Sequence, residues 1–367
     1  MSGTTFLAAK RAPKLINRAQ ELETIRQAIY QPEADCQIVL IRGRGGMGKS
    51  RLVEEVLWRG GNSALREPEE RGPIPNAHPA WDWSQHGRAV FGNLIDMSDP
   101  ALHSRTAFLH AIRDALVWRG QADFTHYDAA FETLRRNQAH MGDYAYLQQL
   151  EQQAEQKFLE DYRRNAQGAR LVLTLDTVEK LQPGRGTELL LEEGLLQADE
   201  MKFYTYQWLL QQIRAGGLPN TTLLLVGRAE EGKLFFENVE QAARENSACS
   251  VTLLPEISCF SLDDTKAYVS ALVEEWQKNA SADSAFASLS AALKSLESEP
   301  ERIETLWLYT DGQPVRLALY TDLMLEDWMP QDWLQESPAQ ARERLADKAE
   351  REKAHREIES GFIRLLF

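Results

Sequence analysis

The sequence predicts an α/β protein in which a parallel sheet with flanking helices is followed by a small, all-helical lid domain. Three observations lead there. The runs CQIVLIRG (36–43), ARLVLTLD (169–176) and TTLLLVGR (221–228) are short and almost wholly apolar. Unbroken runs of that length mark strands buried on both faces, as parallel sheets require. Segments with helical spacing separate them, and beyond Pro255 the strand pattern stops while helical spacing continues. That change sets an all-α region apart from the mixed one.

Taken in order, 18–29 reads as an amphipathic helix with Leu22, Ile25 and Ile29 on one face. The strand 36–43 stops at a glycine, and a helix starts at Lys49 with Leu52, Val53, Val56 and Leu57 on one side. The stretch 60–92 reads as loop, with a glycine pair, a charged run and three prolines between Pro73 and Pro79. A short strand is expected at 93–97 and a helix over 102–118. The glutamine-rich 127–165 reads as helix interrupted near Met141-Gly142. A helix over 206–213 precedes the 221–228 strand, and 249–255 is expected as a further strand. Helical spacing then recurs at 263–278, 283–296, 301–310 and 314–326, and 339–367 is a charged helix followed by GFIRLLF. The expected organisation is a nucleotide-binding α/β domain over 1–255, with an insertion over 60–165. A helical lid over 256–330 follows, then a carboxyl-terminal part over 331–367.

Composition narrows the function. The 41 Lys and Arg against 55 Asp and Glu leave a net charge of −14, which opposes non-specific adhesion to nucleic acid or an anionic membrane. No run approaches the roughly 18 to 20 apolar residues of a membrane span, and the mean hydropathy is −0.44. Residues 1–14 contain no apolar core of signal-peptide type. Cys36, Cys249 and Cys259 show no metal-type spacing and are too few for a disulfide framework. A cytoplasmic protein without a membrane partner is expected.

Residues 43–50, Gly-Arg-Gly-Gly-Met-Gly-Lys-Ser, satisfy G-x-x-x-x-G-K-[ST] at every specified position, directly after a buried strand and before a helix. Gly43, Gly45, Gly46 and Gly48 let the backbone curl so that N–H groups converge on a phosphate, and the helix start adds the positive end of its dipole. Lys49 is expected on β- and γ-phosphate oxygens and Ser50 on Mg²⁺. Met47 and Arg51 complete the cofactor-binding set. Asp176 ends a buried strand and is expected to hold Mg²⁺, although an aspartate there also forms turns. Glu179, three residues on, either orients or deprotonates an attacking water or takes no part in the chemistry. Arg228 ends another strand, where a guanidinium could sense a γ-phosphate or simply face solvent. The cluster His78, Trp81, Trp83 and His86 reads as loop packing rather than a metal site, and Asp96 and Asp99 as strand terminators.

These residues resemble the STAND class of P-loop NTPases, AAA+-related switch proteins. Leu15-Ile16-Asn17-Arg18 with Glu21-Leu22 is similar to the class's opening motif, in which Ile16 and Arg18 lie against the nucleotide. Gly45-Gly46-Met47-Gly48-Lys49-Ser50 has its GG-x-GK-[ST] form. Asp176-Thr177-Val178-Glu179 resembles its Walker B end, Val226-Gly227-Arg228 its sensor 1, and Gly312-Gln313-Pro314 its G-x-P motif, with Pro314 near the adenine. The resemblance implies ATP or ADP with Mg²⁺ as cofactors, a switch-type ATPase, and self-association on activation. Thr177 stands where many members carry a second acidic residue, which implies slow hydrolysis with Glu179 as the substitute. It also implies a chain cut before or within a winged-helix domain, or a minimal relative. Two enzymatic alternatives stay open, a DNA-associated AAA+ ATPase of origin-binding type and a P-loop phosphotransferase; so does a permanently bound, structural nucleotide.

Overall fold

The computed structural model describes residues 15–60, 83, 88–117, 122–138, 144–181, 204–279, 294–325 and 332–366. By compactness the chain divides into two units. One holds Ala19–Arg44 and Lys49–Glu256; the other holds Ile257–Phe367 with Met1–Arg18 and Gly45–Gly48.

The first unit is built on a parallel sheet, five-stranded among the described residues, in the order β2-β3-β4-β1-β5. Its strands are β1 (Cys36–Gly43), β2 (Ala89–Asp96), β3 (Arg170–Asp176), β4 (Thr221–Arg228) and β5 (Cys249–Leu253). The interior strands β3 and β4 are buried along almost their whole length, whereas β5, at an edge, is only half-buried. That is why 36–43, 169–176 and 221–228 read so plainly in the sequence and 249–255 less so. Around the sheet lie α1 (Ala19–Tyr30), α2 (Lys49–Arg59), α3 (Arg105–Val117), α4 (Thr125–Gln138), α5 (Tyr144–Gly168), α6 (Tyr204–Ala215) and α7 (Lys233–Arg244). The described part of 60–165 is no appendage. Phe124 and Tyr127 at the start of α4 meet Phe158 and Tyr162 of α5 in one buried cluster that also takes in sheet residues Leu171 and Leu223.

One expected boundary is corrected. The second strand begins at Ala89 rather than 93, inside what reads as loop. Gly92 disguises it: a Cβ there would press within 3.3 Å of the Val172 carbonyl, and the register with β3 shifts between Phe91 and Leu94. A glycine at an irregularity interrupts the apolar pattern without ending the strand. Of the tryptophan and histidine cluster only Trp83 is described, and it is buried; the rest, and most of the 283–296 helix, lie outside the described residues.

The second unit is helical: α8 (Leu262–Asn279), α9 (Pro300–Thr310), α10 (Pro314–Leu325), α11 (Pro338–Ala346) and α12 (Lys348–Leu366). Leu306 and Tyr309 of α9, Leu317 and Tyr320 of α10, Leu345 of α11 and Ile358 of α12 share one core, and Tyr309 stacks on Trp333 at 4.7 Å. A capping box, Ser337 with Gln340, starts α11 and sets its first turn. Residues 332–366 therefore pack with α9 and α10, and α12 runs on through the terminal apolar segment to Leu366.

Candidate functional site

In the sheet-bearing unit, connectivity alone marks a position. From β1 the chain passes β4 and β3 to reach β2, while from β4 it passes β1 to reach β5. The two connections leave in opposite directions, so the opening beyond the carboxyl ends of β1 and β4 is where an open α/β sheet takes ligands. Gly43 and Arg228 end those strands as register partners, and Asp176 ends β3 on the other side of β4.

Three predicted residues converge there. Lys49 is buried, and its ammonium donates to the carbonyls of Gly43 (2.9 Å) and Arg44 (2.7 Å). The Ser50 hydroxyl donates to Asp176 Oδ2 at 2.6 Å, and the Thr177 N–H to Oδ1 at 2.7 Å. Burial holds the ammonium below its ordinary pKa against the fields of Glu179 and Asp176. Burial likewise raises the Asp176 carboxyl, although Ser50 and the Thr177 N–H pull it down. A serine hydroxyl, a carboxylate and an ammonium with a spare donor fit a phosphate-bound divalent cation and its nucleotide.

Glu179 and Arg228 form a second group. Thr177 is left-handed, with φ 61°, and turns the chain so that Glu179 lies in the short helix beyond β3. Its Oε2 accepts the Arg228 N–H at 3.1 Å, and the Arg228 Nε lies 3.5 Å from Oε1. The same guanidinium reaches Glu231 at 3.1 Å. Gly227 makes room for the carboxylate, since a Cβ would sit 2.8 Å from Oε2. Arg51 pairs along α2 with Glu55 at 3.4 Å. Asp96 accepts the Ser98 N–H and Asp99 the Ala101 N–H, both at 2.9 Å, so each organises the turn after β2. Asp96 is also the register partner of Asp176, a proximity that the sequence separation concealed.

The remaining predicted residues belong to the helical unit. Ile16 packs against its core. Arg18 donates to the carbonyls of Asn17 (2.8 Å) and Ser258 (2.9 Å), and lies over the Phe260 ring at 5.7 Å. Gly46 and Gly48 have φ of 75° and 85°, as a curled loop demands. They differ in surroundings: a Cβ on Gly46 would collide with Val315, whereas one on Gly48 would meet nothing within 4 Å among the described residues. The Gln313 side chain donates to the Gly45 carbonyl at 2.8 Å and the Val315 N–H to the Gly46 carbonyl at 3.1 Å. Met47 is buried, with the Cys259 thiol 3.8 Å from its sulfur. Pro314 opens α10, where its missing N–H costs nothing. Sequence reasoning singled out the 312–314 turn but missed that Gln313 and Val315 grip the loop; no sequence spacing carries that signal.

No protein-family model matches the chain, and no curated protein matches it. Among solved structures, the ORC2 protein of Aeropyrum pernix in its ADPNP–ADP complexes is similar at 12% identity and a TM-score of 0.43. The match covers 91% of this chain and 70% of that one. A likeness that distant bears on neither activity nor partners.

Proposed function

We propose that the chain binds ATP or ADP with Mg²⁺ through 43–50 and works as a slow, nucleotide-operated switch of STAND type. The observation carrying this reading is Lys49: a buried ammonium whose hydrogen bonds, among the described residues, go to two main-chain carbonyls, leaving a donor for a phosphate oxygen. Ser50 and Asp176 would hold Mg²⁺, which neutralises phosphate charge. The 45–48 N–H groups would cradle the phosphates, with Ile16, Arg18 and Pro314 near the base as the resemblance implies. Two features favour slow hydrolysis. Thr177 supplies no carboxylate, and Glu179 is engaged by Arg228 instead of being free to take a proton. A guanidinium that turned to a γ-phosphate would release it, which makes Arg228 the natural sensor. The grip of 313–315 on the loop supplies a route by which loop conformation is felt in the helical unit.

Titration calorimetry tests this. Wild type should bind MgADP, and Lys49→Ala should lose about 2 to 3 kcal/mol of affinity, on the order of 100-fold, because a charge-assisted phosphate contact disappears. Equal affinity in the two proteins, or no binding by wild type, overturns the reading. The same titration with MgGDP checks the adenine preference.

A further inference from the structure

Far from the phosphate loop, the sheet brings together two cysteines that lie in separate parts of the sequence. Cys36 is the first residue of β1 and Cys249 the first of β5, and the two strands pair in parallel with Cys36 opposite Cys249. Register partners on adjacent parallel strands project to the same face, about 4.8 Å apart, inside the roughly 4.4 to 6.8 Å that a disulfide spans between Cα atoms. The Cys36 N–H reaches across to the Ala248 carbonyl, and the turn ahead of β5 is closed by the Cys249 N–H to the Asn246 carbonyl, each at 3.0 Å. Both thiols are free, and each stands beside the other across the strand pair.

Their surroundings differ in a way that assigns roles. Cys36 is buried, whereas Cys249 is half-buried on the edge strand. The Asn246 amide donates to Cys249 Sγ at 3.3 Å, and in the reduced state the Cys249 thiol donates its own proton to the Ile213 carbonyl at 3.4 Å. A donor aimed at sulfur favours the thiolate, the reactive form. The neighbouring Cys36 thiol lowers the Cys249 pKa, while Cys249 and then burial raise that of Cys36.

We infer that Cys36 and Cys249 form a reversible redox pair, with Cys249 attacking a hydroperoxide and Cys36 resolving it into a β1–β5 disulfide. The Cys249 thiolate takes one peroxide oxygen, the O–O bond breaks, and once a proton is taken up a sulfenic acid and the peroxide's reduced half result, a first water where the oxidant is hydrogen peroxide. The Cys36 sulfur then attacks the sulfenic sulfur; the S–S bond forms, the S–O bond breaks, and water leaves with the Cys36 proton. Two thiols are oxidised by two electrons and one hydroperoxide is reduced. The Cα spacing lies at the short end of the disulfide range, which favours a bond that thiols readily reverse. Closing a loop from 36 to 249 also removes freedom from the unfolded chain, so the oxidised form should melt higher. Cys259, beside Met47 in the helical unit, takes no part.

The test uses the full chain, reduced and then treated with mild hydrogen peroxide. Thiols titrated in denaturant should fall from three to one, and peptide mapping should find Cys36 linked to Cys249. Dithiothreitol should restore all three, and the melting midpoint should rise by several degrees on oxidation. Cys259→Ser should behave as wild type. Cys249→Ser should form no disulfide; because Cys36 is buried, Cys36→Ala serves beside Cys36→Ser, and a folded variant should stop at the sulfenic acid on Cys249. Three titratable thiols after peroxide, a linkage through Cys259, or Cys249 oxidised to a sulfinic acid in wild type without a disulfide would each overturn the assignment.

Discussion

At the amino-terminal end of the sheet Arg170 is buried, and at the carboxyl-terminal end Lys49 is buried to the same degree, 7% and 8% exposed. Burial lowers the pKa of both. What the neighbours do with the two charges differs. Arg170 donates to Thr222 Oγ1 (2.7 Å), the Thr221 carbonyl (2.9 Å), Asn220 Oδ1 (3.3 Å) and the Ala34 carbonyl (3.4 Å). The Thr222 hydroxyl in turn donates to the Ala28 carbonyl, and Tyr162 with Thr221 closes a hydroxyl pair at 2.7 Å. The guanidinium fork is thus engaged on every nitrogen by neutral acceptors, whereas the Lys49 ammonium keeps a donor beside Asp176 and Glu179. Burial therefore does not by itself mark a site. Unspent hydrogen-bonding capacity next to an opposite charge is the better pointer to a candidate site, because a ligand can offset its cost.

The largest effect that would sharpen the contrast is on Arg170. Arg170→Met should cost about 2 to 3 kcal/mol of unfolding free energy, since it strands the Thr221 and Thr222 acceptors inside the sheet. Nucleotide affinity should stay within about twofold of wild type. Urea unfolding and calorimetry on the same preparation decide it; a large loss of affinity with intact stability would place Arg170 in a site and break the comparison.

Asp176→Asn is the converse. Burial makes the carboxylate costly without a cation, so the amide should leave the nucleotide-free protein as stable as wild type or up to about 1 kcal/mol more stable. Asn can still accept the Thr177 N–H and donate to Ser50. Mg²⁺-dependent nucleotide binding should weaken in the same variant. A clear loss of stability without nucleotide would mean that Asp176 is a structural turn former. Gln313→Ala comes next in size: it removes one hydrogen bond to the Gly45 carbonyl and should cost about 0.5 to 1.5 kcal/mol in the thermal unfolding of the helical unit.

How much of this was readable beforehand follows the same physics. Cys36–Gly43 and Thr221–Arg228 were legible at both ends, because a strand buried on both faces must be apolar throughout. The start of β2 was not, because Gly92 serves close packing rather than pattern. The loop 43–50 was legible because its glycines, lysine and serine stand at the fixed spacing of a G-x-x-x-x-G-K-[ST] pattern between a strand and a helix. Two proximities were not. Cys36 beside Cys249 and Asp96 beside Asp176 depend on strand order, which no local spacing encodes. Glu179 could be named from its place after the strand, but its capture by the Arg228 backbone depends on the left-handed Thr177.

The smallest predicted effect probes whether an unsatisfied buried group always signals a ligand. His355 on α12 has Nε2 buried without a hydrogen-bond partner among the described residues, and no motif lies there. Burial lowers its pKa, Arg316 and Arg351 repel the protonated ring, and Asp311 and Glu359 pull the other way. The folded-state pKa is therefore below the ordinary value of about 6.5. Between the two values the unfolded chain binds the proton more readily, so folding stability rises with pH. The contribution is complete above about pH 6.5 and is lost as the pH falls from there toward the folded-state pKa. His355→Gln removes this titration and keeps a neutral polar group of similar reach. Unfolding of wild type and variant at pH 7.5 and 5.5 should show wild type losing more stability on acidification, by less than about 1 kcal/mol. An identical pH dependence would show that the ring is not held neutral by the fold. A loss larger in the presence of MgADP than without it would tie His355 to the nucleotide and extend the rule to a place that no motif marks.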